Sequence, residues 1–215
     1  MTPLLEAAQD LRHLLARGYP RRRCLELVGD RHALSAQRRE LLRRGVFAPV
    51  EAQARRERLL PLAALAGRQV GVDGHNVLIT LECALSGLPL VLADDGVVRD
   101  IAGRSRGFRP GPATVKAADL LIAALAPARG AFIYLDAPLS KSGELAAWLG
   151  GMMARAGLAG SAWAVPVPER PLREHRGPVA TSDSALIDQV AEPVDLAGAI
   201  IRQQDPPMGL ERLIS

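Results

Sequence analysis

The sequence is poor in aromatic residues, cysteines and long apolar runs, and each shortage excludes a class of protein. Aromatic residues make up 3% of the chain, so nucleobases are not expected to stack on an aromatic platform. The two cysteines, Cys24 and Cys83, lie far apart without a CxxC spacing, which predicts neither a zinc site nor a disulfide framework. Glu6 and Asp10 interrupt the first apolar stretch, so it is not a signal-peptide core, and LLIAALAPA from Leu120 is too short to span a bilayer. We therefore expect a cytoplasmic protein that makes no contact with a membrane.

Motifs of several enzyme classes are missing as well. The four histidines show no metal-ligand spacing, which argues against a zinc hydrolase. The sequence also lacks a GxSxG elbow, a Walker-type phosphate loop and a GxGxxG fingerprint. The function must therefore be sought in other residues.

Positive charge is concentrated at the N-terminal end of the chain. Residues 1–60 contain 13 arginines and 7 acidic residues, a net charge of +6, whereas the remainder has a net charge of −2. Such a segment can attract phosphate backbones through counterion release. An arginine-rich helix surface that is merely solvated is an equally weighted alternative.

The same segment, residues 1–66, is predicted to be a small helical domain. Apolar residues spaced by three and four between Leu4 and Leu15 predict one apolar helical stripe. Proline, serine and glycine mark the helix ends: starts are expected at Pro20, Ser35 and Pro49, and stops at Gly18, Gly29 and Gly45. The outline resembles a helix-turn-helix without a recognition-helix signature. Binding to a phosphate backbone, binding to specific DNA, and simple packing or dimerisation all remain open.

Residues 67–203 are predicted to form an α/β domain with a mainly parallel sheet and helices on both faces. Strand-like runs such as QVGVD, AFIYLDAP, SAWAVPVP and VATSD alternate with helical patterns, which is the βαβ rhythm. PLVLADDGVVRD places a DG turn between two short strands and predicts a hairpin. The tail, residues 204–215, is predicted to be loosely attached.

An aspartate stands where each of three apolar strands stops. These residues are Asp73, Asp136 and Asp183. In an open parallel sheet the C-terminal strand ends share one edge, so the three carboxylates can meet there. A divalent cation would offset their repulsion, and hard oxygen ligands favour Mg²⁺ or Mn²⁺. Each aspartate alone is equally well explained as the cap of the helix that follows its strand.

The same residues carry a resemblance to a known family. VDGHNVLI, with Asp73 and Asn76, resembles the opening motif of PIN-like nucleases of the NYN type. FIYLDAP, with Asp136, and VATSDSALID, with Ser182 and Asp183, resemble two further motifs of that family in the same order. The resemblance covers about residues 68–200 and implies a Rossmann-like PIN fold with Mg²⁺- or Mn²⁺-dependent ribonuclease activity. The whole chain resembles an uncharacterised prokaryotic family that joins a small helical domain to such a domain. His75 stands where NYN proteins often have tyrosine, and it is expected to pack.

The fourth acidic position of the family has several candidates. They are Asp94, Asp95, Asp100 and Asp119. Asp94 or Asp95 can instead form the DG turn, and Asp119 is expected to face solvent on its helix. Asp100 is preferred as a metal ligand because it ends a strand beside an arginine-rich loop.

Two stretches are candidates for binding substrate phosphates. The candidate residues are Arg99, Arg104, Arg106, Arg109, Lys141 and Ser142. The arginines lie in or beside a glycine-containing loop, where guanidinium groups can bind phosphate in bidentate fashion; a mobile solvated loop is the alternative. SKSG precedes a helix whose free N–H groups can receive a phosphate, although Ser142 can also be only the N-cap.

Three functions remain for the α/β domain. The first is a metal-dependent nuclease that acts on RNA, with Asp73, Asp136 and Asp183 as ligands and with Asn76 and Ser182 orienting them or the water. The second is a non-catalytic module that binds RNA or protein, which the unplaced fourth acid favours. The third is a small-molecule phosphatase that uses the SKSG segment. A homodimer is left open, because apolar surface for a dimer cannot be told from core in the sequence.

Overall fold

Four helices form the first part of the chain, and an α/β domain follows. The computed structural model describes residues 3–101, 111–139 and 141–204, together with the backbone of residues 210–212. The helices of the first part, here called the helical region, are α1 Pro3–Ala16, α2 Arg21–Arg31, α3 Ala36–Gly45 and α4 Pro49–Arg58. In the described part of the chain no helix is long and apolar enough to cross a membrane.

The predicted helix boundaries of this region are confirmed with one exception. Gly18 has a φ of +79° just beyond α1, and the Ser35 side chain accepts a hydrogen bond from the Arg38 amide at 3.4 Å at the start of α3. The predicted stop at Gly29 is wrong, because α2 continues to Arg31. The Arg39 guanidinium lies directly over Gly29, so this glycine lies inside α2 beside a side chain of α3 and does not end a helix.

The α/β domain begins after a short 3₁₀ helix, Leu62–Leu65. Its elements in chain order are β1 Gln69–Asp73, α5 Gly74–Leu85, β2 Leu90–Leu92, β3 Val98–Asp100, α6 Pro112–Leu125, β4 Gly130–Asp136, α7 Ser142–Arg155, β5 Gly160–Val165, α8 Glu169–Glu174, β6 Val179–Ala180, α9 Ser184–Gln189, β7 Pro193–Val194, α10 Leu196–Gln203 and β8 Leu210–Arg212. The helix α8 was not predicted, because it is short and contains Pro171, which is tolerated in a first turn.

The main sheet has five parallel strands in the order β5-β4-β1-β6-β7. The chain fills one side of β1 with β4 and β5 and then crosses to the other side with β6 and β7. The order therefore reverses between β1 and β6, and at such a switch point the strand ends leave a crevice. The prediction of a mainly parallel α/β sheet is confirmed.

Helices cover both faces of this sheet. Successive residues of a strand point to opposite faces, and Val70 and Val72 belong to the main hydrophobic core together with residues of α5, α6, α7 and α10. On the other face, a Cβ at Gly71 would lie 3.1 Å from side-chain atoms of both Leu172 and His175. The segment around α8 therefore packs directly on β1, and a larger residue at position 71 would require the Leu172 and His175 side chains to shift.

A hairpin and the tail form a second, smaller sheet in the order β3-β2-β8. Strands β2 and β3 are antiparallel, and Gly96 has a φ of +81° in the turn between them. The Asp95 side chain accepts a hydrogen bond from the Val97 amide at 3.3 Å, which confirms the predicted DG turn. The prediction of a loosely attached tail is wrong for residues 210–212, which pair with β2 in parallel.

Partly buried arginine–aspartate pairs connect the helical region to the α/β domain. Arg12 of α1 donates to both carboxylate oxygens of Asp94 at 2.8 and 2.7 Å. Arg55 of α4 donates to both oxygens of Asp188 at 2.7 Å and also lies 3.4 Å from Asp95. Asp94 and Asp95 are thus engaged in ion pairs with arginines of the helical region.

Asp95 links the hairpin to the edge of the main sheet. It is fully buried and accepts two hydrogen bonds from Arg99, at 2.7 and 2.8 Å. The Nε of Arg99 donates to the Ser182 carbonyl at 2.7 Å. One ion pair therefore fixes the residues that follow β6.

We expect Asp95→Ala to lower the free energy of unfolding by about 3–5 kcal/mol, because it leaves Arg55 and Arg99 buried without their shared carboxylate. Urea unfolding measures the change. Asp119→Ala is the control, since Asp119 is exposed on α6 as predicted, and it should stay within about 0.5 kcal/mol of the wild type. Equal stability of the two variants would contradict the structural role of Asp95.

Candidate functional site

The three strand-end aspartates meet at the C-terminal edge of the main sheet. Asp73 ends β1, Asp136 ends β4, and Asp183 follows β6 across the switch point. All three line one cavity of about 210 Å³, here called the acidic cavity. Its walls are formed by Arg44, Asp73, His75, Asn76, Ile79, Asp100, Asp136, Leu139, Glu169 and Asp183.

Hydrogen bonds from the end of β6 hold the side chains of β1 and α5 in place. The Thr181 hydroxyl donates to Asp73 Oδ2 at 2.9 Å and accepts from the Asp183 amide at 3.1 Å. Asn76 Oδ1 accepts from both the amide and the hydroxyl of Ser182, at 2.7 and 2.9 Å. The structure thus brings Asn76 and Ser182 together with the aspartates, and Thr181, which was not predicted, connects two of them.

The position of Asn76 depends on a close approach of α5 to the sheet. Gly74 begins this helix directly after Asp73. A Cβ at Gly74 would lie 2.7 Å from the Leu135 side chain and 2.8 Å from that of Ile133. The glycine therefore lets the first turn of α5 rest on β4, which carries Asn76 to the edge of the sheet.

Asp136 is positioned by a histidine and a serine. Its amide donates to His75 Nδ1 at 2.9 Å, and its carboxylate lies 3.4 Å from the same nitrogen. Because Nδ1 accepts this hydrogen bond, we assign His75 the neutral state with the proton on Nε2. The Ser142 hydroxyl lies 2.6 Å from the Asp136 carbonyl oxygen and 2.7 Å from that of Leu139, and its single proton is shared between these two acceptors. His75 was expected only to pack, but it also accepts a hydrogen bond from the Asp136 amide.

Asp183 caps a helix and also lines the acidic cavity. Its Oδ1 accepts a hydrogen bond from the Leu186 amide at 2.9 Å and so caps α9. The residue also lines the acidic cavity. Capping and a position at the site are thus compatible, because a carboxylate has a second oxygen.

The charge of the acidic cavity is concentrated around Asp73. Burial raises the pKa of this carboxyl to about 7, with further raising effects from Asp136, Asp183 and Glu169 and a lowering effect from the Thr181 hydrogen bond. A carboxyl that resists ionisation because it is buried and also lies beside other acids marks a place where added positive charge would be stabilising.

Glu169 and Asp100 are the additional acids of this cavity. Glu169, the first residue of α8, was not predicted, although it stands shortly after strand β5 as the other acids stand after theirs. Asp100, the preferred fourth acid, is 8% exposed and lies 3.6 Å from Arg44. No group among the described residues hydrogen-bonds to its Oδ1. This oxygen is therefore buried without a hydrogen-bond partner in the described part of the chain.

The side chains of the acidic cavity suit a hard cation in chemical type, but their positions do not form a metal site in the described residues. Carboxylate oxygens dominate the cavity, which is the chemistry that Mg²⁺ and Mn²⁺ prefer. In the described ranges no group of three or more Asp, Glu, His or Cys residues is arranged to hold a metal ion. Repulsion is expected to keep like charges apart when no cation lies between them. The residues fit such a cation in kind, and binding would require them to move closer.

A second cavity, of about 150 Å³, adjoins the first and is here called the arginine cavity. It is lined by Arg43, Arg44, Phe47, Asn76, Arg99, Ser182, Asp183 and Ser184. Three of these residues, Arg44, Asn76 and Asp183, also line the acidic cavity. The two cavities are therefore neighbouring parts of one cleft.

The remaining candidates for substrate binding lie elsewhere or have other partners. Arg99 is in β3 rather than in an exposed loop, and its guanidinium is 3% exposed and bound to Asp95 and Ser182. Ser142 is buried and is not the N-cap of α7, a position held by Lys141 with a φ of +63°. Lys141 is exposed beside Glu144. Three further candidates lie outside the described residues: Arg104, Arg106 and Arg109.

The fold and the cleft define a class of protein in which a helical region is joined to an α/β domain that carries acids at its switch point. Residues 62–199 match the family described as a domain of unknown function, DUF5616, and residues 3–58 match one described as a protein of unknown function, DUF434. The chain belongs to the DUF5616 family. An uncharacterized protein of Methanocaldococcus jannaschii is 32% identical over 199 residues, which cover 91% of this chain and 95% of that relative. No solved structure matches the chain.

The raised pKa of Asp73 predicts how the stability of the metal-free protein, measured in EDTA, depends on pH. The folded protein holds this proton up to about pH 7, whereas an unfolded carboxyl releases it near 3.8. Between these values the folded state binds more protons, so the Asp73 contribution to stability falls as pH rises. Asp73→Asn removes this penalty and can still accept the Thr181 hydrogen bond.

We therefore expect the Asn variant to gain stability relative to the wild type as pH rises from about 5 to about 8. A gain of ~1 kcal/mol corresponds to about 2–4 °C in Tm for a chain of this size. Thermal melts of both proteins at each pH measure it. A Tm difference that is the same at both pH values would show that the Asp73 carboxyl is not destabilised by its neighbours.

Proposed function

We propose that this protein is a Mg²⁺- or Mn²⁺-dependent phosphodiesterase, and specifically a ribonuclease with a PIN-like fold. The observation that carries the proposal is the meeting of Asp73, Asp136 and Asp183 in one cavity at the switch point, where the pKa of Asp73 is raised to about 7. A structural explanation of each aspartate as a helix cap accounts for the Asp183 hydrogen bond. It does not account for acids from separate strands and helices sharing one cavity.

The residues have distinct roles in this proposal. Asp73, Asp136 and Asp183 would hold the cation, and Asp100 and Glu169 are the further carboxylates within the same cavity. When bound, Mg²⁺ or Mn²⁺ supplies a water of lowered pKa and offsets negative charge that develops on the phosphodiester.

Neighbouring side chains would set the geometry. Thr181 holds Asp73 through its hydroxyl, and Asn76 holds Ser182 through two hydrogen bonds. His75 and Ser142 fix the backbone around Asp136. These contacts orient the carboxylates without neutralising them, which is what a site that binds a cation requires.

RNA is the proposed substrate because of the family resemblance and the arginines beside the cavity. The motifs around Asp73, Asp136 and Asp183 resemble those of NYN-type nucleases, and the parallel sheet with its acidic switch point is compatible with a PIN-like fold. Arg43 and Arg44 of the helical region line the adjoining cavity, so positive charge borders the acids where a phosphate backbone would lie.

A module that binds RNA or a protein without cleaving RNA is the second candidate. It is favoured by the finding that the described residues include no group of three or more side chains arranged to hold a metal ion. The small-molecule phosphatase hypothesis receives less support. It needs Ser142 at a phosphate seat, but this hydroxyl is buried and its proton is engaged by the carbonyls of Asp136 and Leu139.

We expect Asp73→Asn and Asp183→Asn each to reduce metal-dependent cleavage of labelled single-stranded RNA by about a hundredfold or more. Asparagine can still accept the hydrogen bonds from Thr181 and from the Leu186 amide, so both variants should fold. Calorimetric titration with Mn²⁺, followed by incubation of the same samples with RNA, measures binding and cleavage together.

Asp119→Asn is the matched control, because it removes an exposed carboxylate that lies outside the cleft. Cleavage retained in either site variant would reject the site. If the folded wild type binds neither Mn²⁺ nor Mg²⁺, the strand-end aspartates are structural and the binding module becomes the better description.

A further inference from the structure

The arginine cavity is built from two parts of the chain that are far apart in sequence. Arg43 and Arg44 come from the end of α3 in the helical region, whereas Ser182 and Asp183 follow β6. Arg44 lies between the two cavities and lines both of them, and its Nη1 lies 3.6 Å from Asp100 Oδ2. A group seated among these arginines would therefore lie next to the acids.

Positive charge accumulates behind this cavity. Three guanidinium groups lie over the Phe47 ring at 4.6, 4.6 and 5.0 Å from its centroid, those of Arg21, Arg55 and Arg99. Asp95 pairs with two of them and Asp188 with one of the same two. Arg21 forms no ion pair with any residue that the structure describes, and it donates a hydrogen bond to the Arg43 carbonyl at 2.6 Å. Arg21 therefore adds a positive charge that no direct ion pair in the described part of the chain balances.

The pKa of Arg21 also reflects its buried position among other arginines. Burial lowers the pKa of its guanidinium, and Glu51 raises it. Three neighbouring positive charges then lower the pKa further, those of Arg55, Arg99 and Arg43. An anion close to this cluster would relieve the repulsion.

The two arginines that face the cavity have donors to spare. Glu40 accepts from Arg43 through both Nε, at 2.6 Å, and Nη2, and from Arg44 Nε at 2.9 Å, so one carboxylate holds both side chains side by side. Each guanidinium presents several further N–H groups in a fixed plane. Arg43 is about half exposed and Arg44 is 23% exposed. Both can therefore reach a ligand that enters the cleft from solvent.

We infer that the arginine cavity is a seat for a phosphate group of single-stranded RNA, adjacent to the phosphate that the acidic cavity receives. The helical region then forms one wall of the active cleft and is not a separate recruiting domain. Arginine suits this role because its planar donors match phosphate oxygens in pairs. The identity of the ligand as RNA rests on the proposed function, but binding can be measured without cleavage.

The test compares two double variants that remove the same charge. Arg43→Gln/Arg44→Gln alters the cavity, and Arg22→Gln/Arg23→Gln alters two exposed arginines on α2 that pair only with Glu26 and do not line the cleft. Binding of a short fluorescent oligouridylate is followed by anisotropy in EDTA, with and without a terminal phosphate on the RNA. Thermal melts verify that both variants are folded.

We expect the cavity variant to bind about tenfold to a hundredfold more weakly than the wild type. The slope of log affinity against log salt should also decrease by about 1.4, as expected for two lost contacts to a single strand. The α2 variant should change affinity by less than about twofold, since exposed charges are screened by salt. A loss seen with both oligonucleotides assigns the seat to an internal phosphate, and a loss confined to the phosphorylated one assigns it to a chain end.

Two results would overturn the inference. Equal weakening in both double variants would mean that diffuse electrostatics, and not a seat, binds RNA. Unchanged affinity in the cavity variant, or no binding by the wild type, would exclude the seat directly. Failure of the proposed function would look different, because the wild type would bind RNA through Arg43 and Arg44 and yet leave it intact with Mn²⁺.

Discussion

The buried ion pair between Asp95 and Arg99 is the interaction on which the other parts of the structure depend. Asp95 sits in the β2–β3 turn, accepts from Arg99 and also contacts Arg55 of the helical region. Arg99 in turn holds the Ser182 carbonyl at the switch point. The hairpin, the helical region and the cleft are thus connected through one carboxylate. A carboxylate this deeply buried is tolerated only because its oxygens are paired with guanidinium groups.

The cleft shows the opposite arrangement of charge. Around Asp95 acids and arginines balance each other, whereas Asp73 lies among acids that raise its pKa. Hydrogen bonds from Thr181 fix the position of the Asp73 side chain without removing its repulsion from its neighbours. Such an arrangement costs stability and is typical of sites whose charge is completed by a ligand. The balanced Asp95–Arg99 pair therefore stabilises the fold around the cleft. The acids around Asp73 lack such a balance and are the part of the cleft suited to bind a ligand.

Much of the architecture could be predicted because it follows from local rules. Helix starts at Ser35 and Pro49, the DG turn before Gly96 and the alternation of strands and helices depend on neighbouring residues. The strand-end rule also found Asp73 and Asp136, since parallel strands place their C-terminal ends at one edge. The same rule missed Glu169, because this residue stands a few positions beyond the end of its strand, β5. The predicted helix stop at Gly29 was also wrong, because α2 continues to Arg31 and the Arg39 side chain packs over this glycine.

The sequence by itself determined the elements, the basic N-terminal segment and the acids at the strand ends, because periodicity, caps and turns act over a few residues. Only the tertiary structure decided which distant groups meet. It buried Arg99 against Asp95 and carried Arg44 of the helical region to the edge of the acidic cavity, beside Asp100. No local pattern distinguishes Arg44 from the other arginines of its segment. Its place is set by how the helices pack against the hairpin, and that packing is governed by buried contacts between residues far apart in the chain.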